Sequence, residues 1–393
     1  MPKPPKDPGD DTHDLSRPSL QWRAASRVTI AAIGLFSKSV LNFLNSTRIY
    51  GLDAFVKLLD ERKDVSKRKK GLLTYSNHLS VVDDPFIWGA LPARILCSPN
   101  TMRWSLGSED ICFVNGPNSL QSRFFTSGQV LPTHRLMFSP HGGPFQPTMT
   151  QAIRLLNAGP FLTPTPPHPY WPTPTPSANP PPPADEHTPL TDPFADNLPV
   201  YSYSTTGSDS YTAPTAYGTR RHAWLHVFPE GRVHQHPEHR LRYFKWGVAR
   251  LILETEPCPD VVPIFLEGIK DIMALDRPSP KWLPRIFKSV SITFGARVDE
   301  GIFSQFRERW RTLRERAGLS REGEEMTEEL MHGQEAQELR IAVVKTLRDE
   351  MEKLRRSRGY GPDDPKSGLV ETWKEEGSLD AGRKADQSLV GET

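Results

Sequence analysis

The sequence predicts an α/β fold, in which a sheet is flanked by helices. Short apolar segments such as "AWLHVF", "DVVPIFLEGI" and "SVSITFG" have the β-prone composition of buried strands. Helical segments such as "FKWGVARLILE" lie between them, and strands that alternate with helices form a sheet with helices on its faces. The 393 residues are ample for a hydrophobic core. We therefore expect one main domain over residues 23–358.

The first predicted element is an apolar helix over residues 28–45. A charge such as that of Lys38 is costly at the centre of a membrane-spanning helix. Trp22 and Arg27 flank the segment as aromatic and basic anchors do at a membrane surface. We expect a helix that lies in the plane of the membrane interface; the alternative is an ordinary amphipathic helix over the core. Residues 1–22, which lack signal-peptide and transit-peptide patterns, are predicted to be a disordered tail.

The later elements follow from composition. "MRWSLGSEDICF" and "SRFFTSGQVLPTHR" suit further strands and helices, residues 146–157 suit a helix, and residues 301–358 are charged and helical. Between Pro160 and Pro199 there are 15 prolines, which cannot build a core. With the polar run after them, they predict a disordered insertion over residues 160–220. Residues 359–393 are predicted to be a polar C-terminal tail.

One stretch, "YSNHLSVVDDP", places a histidine and an aspartate where a strand should end and a helix should begin. The β-prone residues 71–75 precede it. Asp83 and Asp84 suit a helix start, and Pro85 suits the first turn, where no backbone N–H is needed. On a single helix, His78 and Asp83 would lie about 140° apart. Only a bend between strand and helix brings the two side chains together.

Such a pair is suited to general base catalysis. Histidine titrates near neutral pH, and a carboxylate fixes its tautomer and stabilises the imidazolium. His78 would remove a proton from a hydroxyl that attacks an acyl carbonyl, with Asp83 as its partner. The substrate would then supply the nucleophile. The alternative is a capping aspartate beside a loop histidine. In a chain with 12 histidines, a histidine five residues before an aspartate occurs by chance with a probability of about one half.

Two further segments suit a phosphate-containing substrate. In "FPEGR", Gly231 lets the backbone approach a ligand, and Arg232 offers a planar charged group suited to phosphate. Glu230 would orient a hydroxyl or hold the loop, unless the segment is a plain turn. Arg135, at the end of "GQVLPTHR", is a second candidate for phosphate, unless it is an ordinary exposed arginine.

Composition gives no sign of other sites. The three cysteines have no CxxC spacing, so the sequence predicts no zinc site. A formal net charge of +2 supports no inference of nucleic-acid binding. No glycine-rich phosphate loop of the P-loop or dinucleotide type occurs in the sequence.

Taken together, these segments resemble the glycerolipid acyltransferase superfamily, whose HxxxxD motif is matched by "NHLSVVD" and followed, after a long gap, by "FPEG". Six blocks in order are similar to the tafazzin family: "NHLSVVDDPFIW", "SEDICF", "GQVLPTHR", "WLHVFPEGRV", "LRYFKWGVARLILE" and "VVPIFLEGI". "GGPFQPTMTQAIRLL" resembles the fungal members. The resemblance covers residues 23–297 without the insertion and implies a mixed sheet like that of glycerol-phosphate acyltransferases. One departure is that many of those enzymes read FPEGTR, whereas here Arg232 directly follows Gly231.

The resemblance also implies an activity: CoA-independent transfer of acyl chains between phospholipids and lysophospholipids, which remodels cardiolipin. His78 would be the base and Asp83 its partner. The implied substrate-site residues are Arg135, Glu230, Gly231 and Arg232. The alternatives are an acyl-CoA-dependent lysophospholipid or glycerol-phosphate acyltransferase with the same dyad, and a non-catalytic membrane scaffold.

The implied partners are phospholipids and lysophospholipids, among them cardiolipin, monolysocardiolipin and phosphatidylcholine, at a membrane surface. The resemblance implies no cofactor, no metal and no nucleic acid. It implies a peripheral location on mitochondrial inner or outer membranes, facing the intermembrane space.

Overall fold

A computed structural model describes residues 17–158, 202–280, 283–319, 326–373, 384 and 386–391. In these ranges the α-helices are α1 Leu20–Ser39, α2 Leu52–Glu61, α3 Asp83–Gly89, α4 Ala93–Leu96, α5 Glu109–Cys112, α6 Leu120–Ser127, α7 Pro147–Leu156, α8 Gly247–Leu253, α9 Ile269–Ile272, α10 Gly301–Arg316, α11 Glu328–His332 and α12 Gln334–Ser357. The strands are β1 Ser46–Tyr50, β2 Leu72–Ser76, β3 Trp104–Ser108, β4 Val130–Thr133, β5 Ser202–Tyr203, β6 Tyr211–Thr212, β7 Trp224–Val227, β8 Val233–Gln235, β9 Asp260–Glu267, β10 Ser289–Phe294 and β11 Leu389–Gly391.

Seven strands form a mixed sheet in the order β1-β10-β9-β2-β7-β3-β4. The five strands from β9 to β4 are parallel to one another, while β10 and β1 run in the opposite direction at one edge. Two further pairs, β8 with β11 and β5 with β6, form small antiparallel sheets. The predicted α/β class, with a mixed sheet flanked by helices, is therefore confirmed.

Helices cover both faces of the sheet because its central strands are buried on both sides. Every residue of β2 is buried, and its successive side chains serve opposite faces. Leu73 and Tyr75 pack with helices α7, α8, α10 and α12, whereas Leu72 packs with α1, α2, α3 and α9. The predicted strands "AWLHVF", "DVVPIFLEGI" and "SVSITFG" are β7, β9 and β10, and the predicted helix over 146–157 is α7.

The first helix begins earlier than predicted. It starts at Leu20 instead of residue 28 and continues through a π-helical turn to Leu44, and this helix is long and apolar enough to cross a membrane by length and composition. Trp22, assigned by the sequence to a disordered tail over 1–22, is helical, and its ring stacks on that of Trp104 at 6.3 Å. This packing corrects the end of the predicted tail; residues 1–16 lie outside the described residues.

The predicted insertion also ends earlier than residue 220. Residues 159–201 lie outside the described residues, but residues 202–220 are folded onto the domain. Tyr203 and Tyr211 pack with Phe113, and the guanidinium of Arg220 lies 4.2 Å from the centre of the Trp22 ring. The polar composition of this segment gave no indication that these two tyrosines and this arginine would be buried. Their burial holds the segment against the domain.

The predicted polar tail over residues 359–393 contains ordered elements. Short 3₁₀ helices span Pro365–Gly368 and Val370–Trp373, and Trp373 is buried. Strand β11 pairs antiparallel with β8 and buries Leu389 and Val390. These few apolar residues among polar ones were too sparse to predict a strand, and their burial corrects the prediction.

Candidate active site

The His78–Asp83 pair lies on the loop between β2 and α3, at the carboxyl end of a central strand. The β2 strand, "LLTYS", is buried throughout, and α3 begins at Asp83 with Asp84 and Pro85 in its first turn. Acidic residues in the first turn favour the helix start through the helix dipole. The bend that the sequence predicted between strand and helix is therefore present.

The bend brings the two side chains into contact. His78 Nδ1 lies 2.9 Å from Asp83 Oδ2, and the same oxygen accepts backbone N–H bonds from Leu79 at 2.5 Å and Ser80 at 2.8 Å. Asp83 is fully buried, whereas the His78 side chain keeps 20% of its surface exposed. Burial raises the pKa of the Asp83 carboxyl, and the hydrogen bonds from His78 and the two backbone groups act against that rise. The aspartate thus orients the imidazole but has no direct access to solvent.

The His78 side chain lines a cavity. Because Nδ1 contacts Asp83, Nε2 is the nitrogen left for a substrate, and among the described residues it has no hydrogen-bond partner. The ring stacks on Phe228 at 4.2 Å between ring centres. Phe228 directly follows β7 and begins the "FPEGR" segment, so two neighbouring strands place this pair of rings.

The cavity beside His78 has a volume of about 420 Å³ and a mainly apolar lining. A pocket of this size is in the range of small-molecule and lipid sites. Its walls come from α1, α3, α5, α6, β3 and the segments that follow β2 and β7. The apolar wall residues include Ile30, Ile33, Val81, Met102, Ile111, Phe124 and Phe228. Its apolar lining therefore suits a hydrocarbon chain.

The wall also contains a buried ion pair. Arg103 forms a two-pronged pair with Asp84, in which Nε lies 3.2 Å from Oδ1, and Arg103 Nη1 donates to the Gly128 carbonyl at 2.7 Å. Trp88 Nε1 also donates to Asp84 at 2.8 Å. These bonds compensate both charges, so the pair fixes the cavity wall rather than offering a free cation. Sequence reasoning missed Arg103, because one arginine in "MRWSLG" carries no pattern.

A second histidine lies beneath the dyad. His226 on β7 is fully buried, with Nδ1 2.8 Å from Thr74 Oγ1 and Nε2 3.3 Å from Ser76 Oγ. Burial lowers its pKa to about 3, so the ring is neutral at physiological pH. His226 is thus a structural support for β2, and its only sequence signal was its position in a β-strand.

The "FPEG" turn is fixed by contacts with buried residues of the domain. Gly231 has φ +65°, and a Cβ there would lie 2.7 Å from the side chain of Lys245, so only glycine fits without strain. Glu230 is buried at 1% exposure, and burial raises the pKa of its carboxyl well above the usual range. Arg242 Nη1 donates to the Glu230 carbonyl at 3.4 Å, and Glu230 is not among the described residues that line the cavity. Of its two predicted roles, the geometry favours holding the loop.

Arg135 and Arg232 meet at one exposed loop, residues 136–138. Arg135 forms a two-pronged ion pair with Asp110 and lies 4.5 Å above the ring of Phe138. Arg232 Nη2 contacts Met137 Sδ at 3.4 Å. Neither arginine lines the cavity within the described residues, but Asp110 is next to the wall residue Ile111. Arg135 thus contacts Asp110, the neighbour of a wall residue, and Arg232 contacts the same loop over residues 136–138.

Comparison with known proteins identifies relatives over most of the chain. No family model matches. The chain is 31% identical to tafazzin of Saccharomyces cerevisiae over 384 residues, which cover 96% of this chain and 90% of that protein. It is 29% identical to tafazzin of Drosophila melanogaster over 72% of this chain and 54% of the fly protein.

A plant protein with a different name also matches. The chain is 26% identical to N-acylphosphatidylethanolamine synthase of Arabidopsis thaliana over 65% of this chain and 66% of the plant protein. The resemblance in the six ordered blocks is thus part of a similarity that extends over nearly the full length of the yeast protein. With that identity and coverage, the chain belongs to the tafazzin family of acyltransferases.

Proposed function

We propose that this chain is a CoA-independent transacylase that moves fatty acyl groups between phospholipids and lysophospholipids, cardiolipin and monolysocardiolipin among them. The observation that carries the proposal is the His78–Asp83 contact of 2.9 Å at the wall of an apolar cavity of about 420 Å³. A base beside a hydrocarbon site suits acyl transfer between lipids. The names of the yeast and fly relatives support the same assignment.

In the first step, Nε2 of His78 removes the proton from the free hydroxyl of a lysophospholipid. The hydroxyl oxygen attacks the carbonyl carbon of an acyl ester on a donor phospholipid, which gives a tetrahedral intermediate. Asp83 stabilises the imidazolium through Nδ1, because opposite charges in contact favour the charged form of the histidine. No covalent bond to the protein is needed, since the acceptor lipid supplies the nucleophile.

In the second step, the intermediate collapses and the donor's ester C–O bond breaks. The imidazolium returns its proton to the departing alkoxide, so the donor becomes a lysophospholipid and His78 is again neutral. The bond formed and the bond broken are both carboxylic esters of lipid hydroxyls. The reaction therefore has little net driving force, and we expect it to run in both directions.

A membrane surface would supply both substrates. The outward side of α1 and of the π turn that follows it carries exposed Phe36 and Phe43, and a second segment exposes Leu136, Met137 and Phe138 in succession. Large exposed apolar patches on a soluble surface mark interaction sites. We propose that these residues enter the lipid interface of a mitochondrial membrane, with the chain attached to one leaflet. Arg135 and Arg232 would then lie at the level of lipid phosphates.

The test is acyl exchange in vesicles without CoA. Purified protein is mixed with vesicles that contain phosphatidylcholine labelled in one acyl chain and unlabelled monolysocardiolipin. Label in cardiolipin is the expected result, and in the reverse experiment label should move from cardiolipin to lysophosphatidylcholine. Both directions should require His78, since the same imidazole accepts and returns the proton.

The alternative is an acyl-CoA-dependent acyltransferase with the same dyad. It would show transfer only when acyl-CoA is added and none between lipids. That result would overturn the transacylase proposal, but it would remain compatible with His78 as the base and Asp83 as its partner. Transfer by His78→Ala at the rate of the unchanged protein would reject the dyad itself.

A further inference from the structure

A short strand outside the main sheet contacts the loop that carries His78. The backbone N–H of His234, in β8, donates to the His78 carbonyl at 2.7 Å. The next residue, Gln235, donates from Nε2 to the Leu79 carbonyl at 2.6 Å and accepts from the Leu275 N–H at 2.9 Å. Gln235 is buried, so water is a poor substitute for these bonds. Two successive carbonyls of the catalytic loop thus depend on β8.

The other edge of β8 is covered by β11, near the end of the chain. The register pairs Leu389 with Gln235, Val390 with His234 and Gly391 with Val233. Leu389 packs with Val233 and Leu275, and both Leu389 and Val390 are at most 6% exposed. The β8 strand is only three residues long, and an isolated strand of that length is not stable in water. Its position therefore depends on its partner.

We propose that the β8–β11 pair is a clasp that positions the catalytic loop, and that Gln235 and Leu389 are positioning residues for His78. The effect on catalysis rests on the proposed function, whereas the effect on the position of the loop does not. Asp83 fixes the ring of His78 through its side chain, while β8 fixes the backbone of the same residue. The Ser80 carbonyl accepts from the Asp83 N–H at 3.1 Å, so the loop is held from both sides. Loss of the β8–β11 pair would keep the contact between His78 and Asp83 but would displace both residues from the cavity wall.

Small displacements of this kind have large effects on turnover. A misplacement of about 1 Å at a reacting group can cost about 100-fold in rate. Substrate binding depends on the apolar cavity, whose lining includes no residue of β8 or β11 among the described residues. We therefore expect a lower kcat with little change in KM. Partial unfolding would also lower the apparent kcat, so rates are compared per folded protein and well below the unfolding temperature of each variant.

The test uses the full chain with two variants and one matched control. Gln235→Met removes, at similar volume, all three side-chain hydrogen bonds of Gln235, which join it to Leu79, Met273 and Leu275. Leu389→Ala weakens the β8–β11 pair. The control, Leu330→Ala, removes a similarly buried leucine in α11, which packs in a different hydrophobic cluster from that of Leu389. Turnover in vesicles, KM for the lysolipid and thermal unfolding are measured for each. Backbone hydrogen exchange at Leu79 and Ser80 is a readout that requires no activity.

The clasp predicts kcat about 10- to 100-fold lower in Gln235→Met and Leu389→Ala, an unchanged KM and faster exchange at Leu79 and Ser80. Leu330→Ala should be less stable but should retain its kcat and its slow exchange at both amides. Unchanged exchange and kcat in both clasp variants would overturn the proposal, as would equal effects in the control. If the unchanged protein transfers no acyl group, the proposed function fails, and the exchange rates still decide whether the clasp holds the loop.

Discussion

His78 owes its orientation to one oxygen atom of Asp83 that accepts three hydrogen bonds. Two of the donors are backbone groups of the loop between them, so the carboxylate holds the loop and the imidazole together. The remaining carboxylate oxygen, Oδ1, is buried without a partner among the described residues. In the proposed mechanism, the aspartate would therefore position the imidazole and stabilise its charge, and His78 would carry the proton.

This arrangement predicts a large loss of activity when either residue is changed. His78→Ala removes the base, and loss of a general base typically costs about 100- to 10,000-fold in rate. Asp83→Asn should lose activity similarly, because an amide cannot stabilise the imidazolium as a carboxylate does. Initial rates of lipid-to-lipid transfer and circular dichroism of both variants provide the measurement. A folded His78→Ala protein with near-normal turnover would contradict the assignment.

His226 makes folding stability depend on pH. Its pKa is about 3 in the folded chain, because burial disfavours the charged ring, against 6.5 for an unperturbed histidine. Between these values the unfolded chain binds a proton that the folded chain does not. His226 should therefore lower the free energy of unfolding as the pH falls below about 6.5, by up to about 1.4 kcal/mol for each pH unit from this residue alone. His234 and His239, whose pKa values burial also lowers to about 3, should add to this dependence.

The corresponding variant is His226→Gln, which cannot titrate. It should be less stable at pH 7, since the bond to Thr74 is altered, but its stability should fall less steeply between pH 7 and pH 5. Urea unfolding at several pH values measures both quantities, and His141→Gln, at an exposed histidine, is the control. Parallel stability curves for His226→Gln and the unchanged protein would show that His226 does not titrate in this way.

At the scale of elements, α1 turns its small and polar residues inward. Ser26, Gly34 and Ser37 are buried against the domain, and Lys38 Nζ donates to the Leu91 carbonyl at 3.2 Å. The sequence suggested that Lys38 would interrupt the apolar face, whereas the structure places it toward the protein. The opposite side of the helix is consequently apolar and exposed, which reverses the usual amphipathic pattern.

The exposed apolar side of α1 predicts that this helix attaches the protein to one leaflet of a membrane. Phe36→Ser combined with Phe43→Ser should weaken vesicle binding at least about tenfold, because burying one such side chain contributes about 1.5–3 kcal/mol. Co-sedimentation with phosphatidylcholine and cardiolipin vesicles measures this. Ile341→Ser is the control, since Ile341 is 47% exposed on α12, which packs on the other face of the sheet. Protease protection that places the two ends of the chain on opposite sides would refute in-plane attachment.

At the scale of the whole molecule, the sheet order places the site where several parallel strands end together. The loop after β2 contains His78, Phe228 directly follows β7, and β3 contributes Leu106 and Ser108 to the cavity wall. The sequence predicted these strands and the bend at His78 because local apolar patterns and capping residues were sufficient. It could not predict the partners of Arg135 and Arg103, because ion pairs with Asp110 and Asp84 depend on which strands are neighbours. The β8–β11 pair was missed for the same reason.

The Pro-rich insertion and the folded residues 202–220 that follow it should differ in their importance for folding. Replacing residues 160–200 with a flexible Gly/Ser linker should preserve folding and acyl transfer, because their Pro-rich composition cannot build a core. Extending the deletion to residue 220 should cost several kcal/mol, since it removes buried Tyr203 and Tyr211 and the Arg220 side chain that lies over Trp22.

Thermal unfolding and vesicle assays of both deletions distinguish the two effects. Only the longer deletion should unfold at a clearly lower temperature. A shorter deletion that folds but no longer transfers acyl groups would show that the insertion serves the site. A longer deletion with unchanged stability would show that residues 202–220 add nothing to the fold, which their burial against Phe113 and Trp22 argues against.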